Sequence, residues 1–289
     1  MGYVLALASA ALYGAADFLG GLASRTVSTI ATVVVSQAAG LLLLVVFLPF
    51  LPAAATHSDM VWGGASGLAG GIGVGLLYRA LAIGTMAVVA PTTAVCAVLI
   101  PVAAETIAGE QLGGRVIAGI VLALVAIVLV SQQSGADQGA TRQATRHATR
   151  HATRQKGLGL AILSGVAIGF FFLALARTNA AAGLWPLVAA RAVSVSLFLV
   201  LAVAGRQSLR MAARPLAIVV GCGVVDMAAN ALYLLATRRG ALSSVVTLAS
   251  LYPASTVLLA RVVLGERLSW RQVVGIVSAL AAVVLIVSA

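Results

Sequence analysis

The chain has 289 residues, of which 62% are hydrophobic and 9% charged, and a mean hydropathy of +1.11. So little polar material cannot clothe a soluble surface, which excludes a water-soluble domain and makes a bilayer the main solvent. The net charge of +11 lies in loops and one short segment instead of forming a basic domain, which excludes nucleic acid as a partner.

A hydrocarbon core of about 30 Å takes about 20 apolar residues per helix, so the length accommodates about ten spans and short loops. The apolar runs are too long for the strands of an outer-membrane barrel and are read as helices. Met1 to Ala10 lacks the basic flank of a cleaved signal and is read as the start of the first span. Apolar runs between turn signals predict helices at Gly2 to Ser24, Ser28 to Phe50, Met60 to Ala82, Met86 to Ala108 and Gly114 to Ser131. Five more are predicted at Gly157 to Thr178, Leu184 to Ala204, Pro215 to Thr237, Leu242 to Leu264 and Trp270 to Ser288.

Between the two sets, Gln132 to Lys156 repeats Ala-Thr-Arg followed by Gln or His, a low-complexity run with Arg at every fourth position. It divides the chain into a first unit at 1–131, a linker at 132–156 and a second unit at 157–289. As a helix the linker gathers Arg142, Arg146, Arg150 and Arg154 into a stripe suited to anionic lipid headgroups; as a coil it is a solvated tether. His147 and His151 lack an acidic or thiol partner, and Cys96 and Cys222 lie in separate helices without paired spacing. No metal, disulfide or cofactor is expected, and no Walker-type loop is present in the sequence.

The two sets of helices share punctuation. Tyr78, Gly84, Gly109-Glu110-Gln111-Leu112 and Gly119 recur in order as Tyr233, Gly240, Gly265-Glu266-Arg267-Leu268 and Gly275. With an odd number of helices in each set, the second enters the bilayer from the opposite side, so the repeats are inverted. Together with Ala90-Pro91, this pattern resembles the EamA-type drug/metabolite transporters over nearly the whole chain. The resemblance implies an all-α polytopic membrane protein: ten transmembrane helices in two inverted five-helix repeats around a central cavity, lined mainly by helices one, three, four, six, eight and nine. Members of that family carry amino acids, other metabolites, nucleotide sugars or drugs. The sequence departs from internal symmetry where Gln37 stands at the approximate counterpart of Arg191 and where Pro253 aligns with Ala97.

An ionisable side chain at the bilayer centre costs about 2.5–3.5 kcal/mol on insertion scales, so each one needs an explanation. Asp17, Glu105, Arg191, Asp226 and Arg261 lie well inside predicted spans, whereas Arg79 and Arg177 lie close enough to helix ends to snorkel. Asp226, Asn230, Tyr233 and Thr237 share one face of the eighth helix, suited either to lining a wet cavity or to bonding a neighbouring helix. At the corresponding place the third helix carries Gly63, Gly67, Gly71 and Gly75, a stripe read as packing. Ser9, Tyr13 and Asp17 share a face of the first helix, with Asp17 the leading candidate for proton exchange and a fixed ion pair with an Arg or an unmoving hydrogen bond its bland alternative. Glu105 and Arg261 occupy equivalent places of opposite charge, and Glu105 joins Asp17 as a coupling candidate. Arg191 suits a carboxylate or phosphate, or else pairs with Asp226 or Asp17. Glu110 and Glu266 are expected to cap or orient the helix that follows each. Pro91, Pro101 and Pro253 are expected to interrupt the fourth and ninth helices, leaving Thr92, Thr93, Cys96, Ser250 and Tyr252 for neutral hydrogen bonds.

The expected substrate-binding set is Tyr13, Tyr78, Thr92, Cys96, Arg191, Asp226, Asn230, Tyr233, Ser250 and Tyr252. The expected function is export of a small polar or amphipathic metabolite by alternating access in the inner membrane, with protons and lipids as further partners, by a monomer or homodimer. Translocation of a lipid-linked substrate is the alternative, and it calls for a laterally open groove. An enzyme is not expected: His57 and the linker histidines form no ligand pair with an intramembrane acid, and no paired-carboxylate motif occurs. The resemblance implies both termini in the cytoplasm, which leaves the Arg-rich linker outside; the positive-inside rule prefers the reverse.

Overall fold

The computed structural model describes residues 2–48, 54–107, 113–131, 144–175, 177–237, 239, 248–249, 251–266 and 269–287. Among the described residues the regular structure is helical throughout: α1 (Gly2–Ala23), α2 (Thr29–Phe47), α3 (His57–Ile83), α4 (Met86–Ile107), α5 (Gly114–Ser131), α6 (Ala144–Leu175), α7 (Trp185–Ala204), α8 (Ala213–Thr237), α9 (Tyr252–Leu264) and α10 (Trp270–Val287). Among the described residues six stretches are long and apolar enough to cross a membrane: α1, α2, α3, Gln155–Leu175 of α6, α7 and Ala213–Tyr233 of α8. Shorter apolar stretches occupy Met86–Ala97, α9 and Val273–Leu285.

Most boundaries follow local chemistry. Ser28 opens α2 by accepting from the Ala31 N–H at 3.2 Å. Thr56 and Asp59 form a reciprocal capping box at the start of α3. Three boundaries or courses differ from expectation. Helix α6 starts at Ala144, ahead of Gly157, because the Ala, Arg, Gln and Lys of the linker are good helix formers and extend the apolar span behind them. Helix α4 runs unbroken through Pro91 and Pro101, since a membrane helix loses one backbone bond per proline without having to end there. Pro253 does not interrupt the ninth helix either; it sits in the first turn of α9, where a missing N–H costs nothing, and residues 240–247 lie outside the described set.

The two halves interleave. Helix α1 packs on α8 and α9, while α6 packs on α3 and α4; α3 packs on α7, while α8 packs on α2. Each of these contacts becomes its mate when a helix is exchanged for the one five places along the chain, and α2 with α7, α4 with α9 and α5 with α10 are their own mates. Glycines obey the same exchange. A Cβ at Gly14 of α1 would stand 2.3 Å from the Tyr252 carbonyl oxygen of α9, and one at Gly169 of α6 would stand 2.9 Å from the Ala97 carbonyl oxygen of α4.

Glycines set the closest approaches because lipid supplies no hydrophobic drive between helices, so backbone proximity and packing must hold them together. Gly63, Gly67, Gly71 and Gly75 of α3 meet Pro186, Ala190, Ser194 and Phe198 of α7, two stripes of the same four-residue spacing in register. The outward faces carry exposed Val4, Leu42, Val46, Val203, Val262 and Val277, the surface a bilayer would solvate.

Candidate functional site

Between α1, α2, α7 and α8 the interior turns polar. Asp226 lies on the inner face of α8, and Arg191 of α7 donates to its carboxylate and, through the other guanidinium arm, to the side-chain oxygen of Gln37 on α2. Ser194, one turn beyond Arg191, donates to the same Gln37 oxygen at 3.1 Å. Asn230 donates to the Asp226 backbone carbonyl at 2.8 Å, back-bonding one turn along α8 and keeping its amide beside the carboxylate. Arg191 therefore joins the expected pair with Asp226, and the polar face of α8 looks into the bundle. The ion pair is largely withdrawn from solvent, with 11% and 18% of the two side chains exposed.

The other expected residues fall around this centre. Cys222, one turn before Asp226, donates to the Ala16 carbonyl at 3.3 Å and accepts from the buried Tyr78 hydroxyl at 3.1 Å. Ser9 donates to the Ala229 carbonyl at 2.8 Å, binding α1 to α8. Tyr13 meets Tyr252 of α9 edge to face, with ring centroids 6.4 Å apart, and lies within electrostatic reach of Asp17, Arg191, Asp226 and Tyr233. Asp17, one turn beyond Tyr13, is half-buried, and the Tyr78 ring lies against Gly20, one turn further along α1. Among the described residues Asp17 has no ion-pair partner, and Arg191 is engaged by Asp226 and Gln37.

Several expected residues point elsewhere. The Thr92 hydroxyl donates to Val88 of its own helix at 2.8 Å, Thr93 donates to the Ala161 carbonyl of α6 at 3.2 Å, and Cys96 is buried against Gly165. These three join α4 to itself and to α6. Arg79 and Arg261 are exposed. Ser250 and Glu110 lie outside the described residues, as do the side chains of Glu105 and Thr237. Gln37 and Ser194 were missed as site members; the signal for Gln37 was its place as the approximate counterpart of Arg191.

A second polar contact closes one end of the bundle. Gly265 ends α9 with φ of 64°, a left-handed turn that suits glycine, and turns Glu266 toward α4. The two Glu266 carboxylate oxygens accept from the Met86 and Ala87 N–H groups at 3.2 Å each, and Arg25 of the α1–α2 loop lies 3.5 Å from one of them. Glu266 thus caps α4 of the other half instead of the following helix as expected: a carboxylate is drawn to exposed N–H groups, and the left-handed glycine brings it there. At the opposite end Asp59 accepts from the Asn179 N–H at 2.7 Å, and Arg177 lies over the Trp62 ring.

This is the interior of a multi-pass helical membrane protein, with charged and aromatic groups held at the crossing of its two halves. The sequence profile of the EamA-like transporter family matches residues 1–132 and 155–288, and the chain belongs to that family of membrane transporters. A crystal structure described only as that of a protein is similar over 96% of this chain and 96% of that one, with a TM-score of 0.56 at 19% identity, a likeness of fold alone. No curated protein matches.

Proposed function

We propose that this chain is a secondary transporter with ten spans in two inverted repeats, exporting a small polar or amphipathic solute across the inner membrane by alternating access, with a proton exchanged at Asp17. The observation that carries this reading is Arg191, on α7, held at once by α2 of one half and α8 of the other. A charge so placed is costly in a membrane and pairs naturally with a task at the seam between moving halves. Asp17 faces the same centre without a counter-ion among the described residues, as a group that trades a proton for substrate must at some point in its cycle.

The lipid-linked alternative calls for a groove that opens sideways and recognises a phosphate. One concavity on α7, lined by Ala192, Val193, Ser196, Leu197 and Val200, offers one hydroxyl and no charge and so does not suit a phosphate.

Purified protein in liposomes, given a panel of metabolites with and without a pH gradient, tests the proposal. Gradient-driven flux of at least one solute is the expected result, and absence of flux for all of them removes transport. Asp17→Asn should abolish the effect of the gradient; flux that still follows it removes Asp17 from coupling. Reporter fusions after Ala136 and at the C-terminus should place the C-terminus in the cytoplasm and the linker outside.

A further inference from the structure

The centre holds two carboxyl groups, Asp17 and Asp226, and the cation beside them among the described residues, Arg191, is already held by Asp226 and Gln37. An anionic solute would have to displace Asp226 from Arg191 and leave a second carboxylate exposed in a weakly screening interior. A cation meets Asp17 with no ion pair to break among the described residues. Aromatic rings flank Asp17 along α1: Tyr13, one turn before it, meets Tyr252 of α9, and the Tyr78 ring of α3 lies against Gly20, one turn after it.

Two of these rings are fixed in place. Gly14 permits α1 to press against the Tyr252 carbonyl, Thr256 donates to the Gly14 carbonyl at 3.0 Å, and Ser255 donates to the Ala10 carbonyl at 3.2 Å. With α1 and α9 clamped, Tyr13 and Tyr252 stand edge to face at 64°, a corner rather than a closed stack. Electron-rich ring faces beside a spare carboxylate attract weakly hydrated organic cations more than they attract anions or neutral solutes.

Resting on the transport reading, we infer that the substrate class is organic cations, with Asp17 as counter-ion and the Tyr13 and Tyr252 rings as walls. Asp226 is then a structural partner of Arg191 and not the primary substrate contact.

Equilibrium binding of radiolabelled N-methylphenylpyridinium to the full chain in nanodiscs tests this. Saturable binding is expected, with phenylpyridine, phenylbenzoate and phenylalanine competing at least about tenfold more weakly than a second pyridinium ion. Asp17→Asn and Tyr252→Ala should each weaken binding at least about tenfold, whereas Tyr252→Phe, which keeps the ring, should hold it within about threefold. Phenylbenzoate or phenylalanine binding as tightly as the pyridinium ion overturns the inference using the unaltered protein alone, and so does unchanged affinity in a folded Asp17→Asn protein. Flux arms separate the two readings. Liposomes that move phenylalanine or phenylpyridine but no cation overturn the cation class and leave transport standing; cation binding without flux upholds the site and removes transport.

Discussion

Arg191 of α7 donates a hydrogen bond to Gln37 of α2, and the two residues stand at nearly matching places in the two halves of the chain. Where the halves cross, like positions meet, and two arginines there would repel across a short gap. The replacement of one by glutamine turns that repulsion into a hydrogen bond and leaves the second arm of Arg191 for Asp226.

Breaking the ion pair from one side should therefore cost more than removing it. Arg191→Met or Asp226→Leu alone is expected to destabilise the folded protein by about 3 kcal/mol, because each strands a poorly solvated charge. The double variant should lose less than the sum by at least about 1 kcal/mol. Unfolding of the four proteins in the same detergent measures the cycle, and strict additivity would mean that the two side chains do not interact.

The stripe on α3 makes a matched pair of predictions. A Cβ at Gly67 would stand 2.2 Å from the Ala190 carbonyl oxygen and 2.5 Å from its Cα, and backbone cannot step aside without moving α7. At Gly64 the nearest atom is a Val193 methyl at 3.5 Å, an ordinary contact. Gly67→Ala should destabilise by about 2 kcal/mol through overpacking, and Gly64→Ala should be neutral or stabilise by up to about 1 kcal/mol through better helix propensity. Equal melting temperatures for the two variants would show that α3 and α7 are not in this register.

At the closed end, Glu266→Ala leaves two N–H groups of α4 without their cap. A loss of about 1 kcal/mol is expected. Arg25→Ala should lose less, because its side chain is 30% exposed and a solvated pair contributes little. The order of the two melting temperatures checks this, with a greater loss from Arg25→Ala counting against the cap.

Cys96 and Cys222 are both buried, and the Cys222 thiol is engaged by Tyr78 and the Ala16 carbonyl. Neither thiol should react with a polar maleimide in the folded protein, and both should react on heating in step with loss of helix. Rapid labelling of Cys222 at room temperature would place the α1–α8 seam in water.

Helix positions were legible in the sequence because membrane spans announce themselves by length and apolarity, and the repeat was legible because Gly-Glu-x-Leu occurs twice. Its chemistry was not. Gly265 ends α9 and Glu266 caps α4, a helix that lies far away in the chain, so no local rule reveals which N–H groups the carboxylate will meet. The prolines of α4 misled for the opposite reason: local preference says break, and the surrounding bundle carries the helix through.

The polar residues divide in the same way. That Asp17, Arg191 and Asp226 require an explanation follows from composition alone, since a bilayer tolerates few charges. Which of them are paired is a tertiary fact, decided by the crossing of α2, α7 and α8 that gives Arg191 to Asp226 and Gln37 and leaves Asp17 without an ion-pair partner among the described residues. Periodicity specifies the face on which a side chain stands; only the packing of helices far apart in the chain specifies what that face meets.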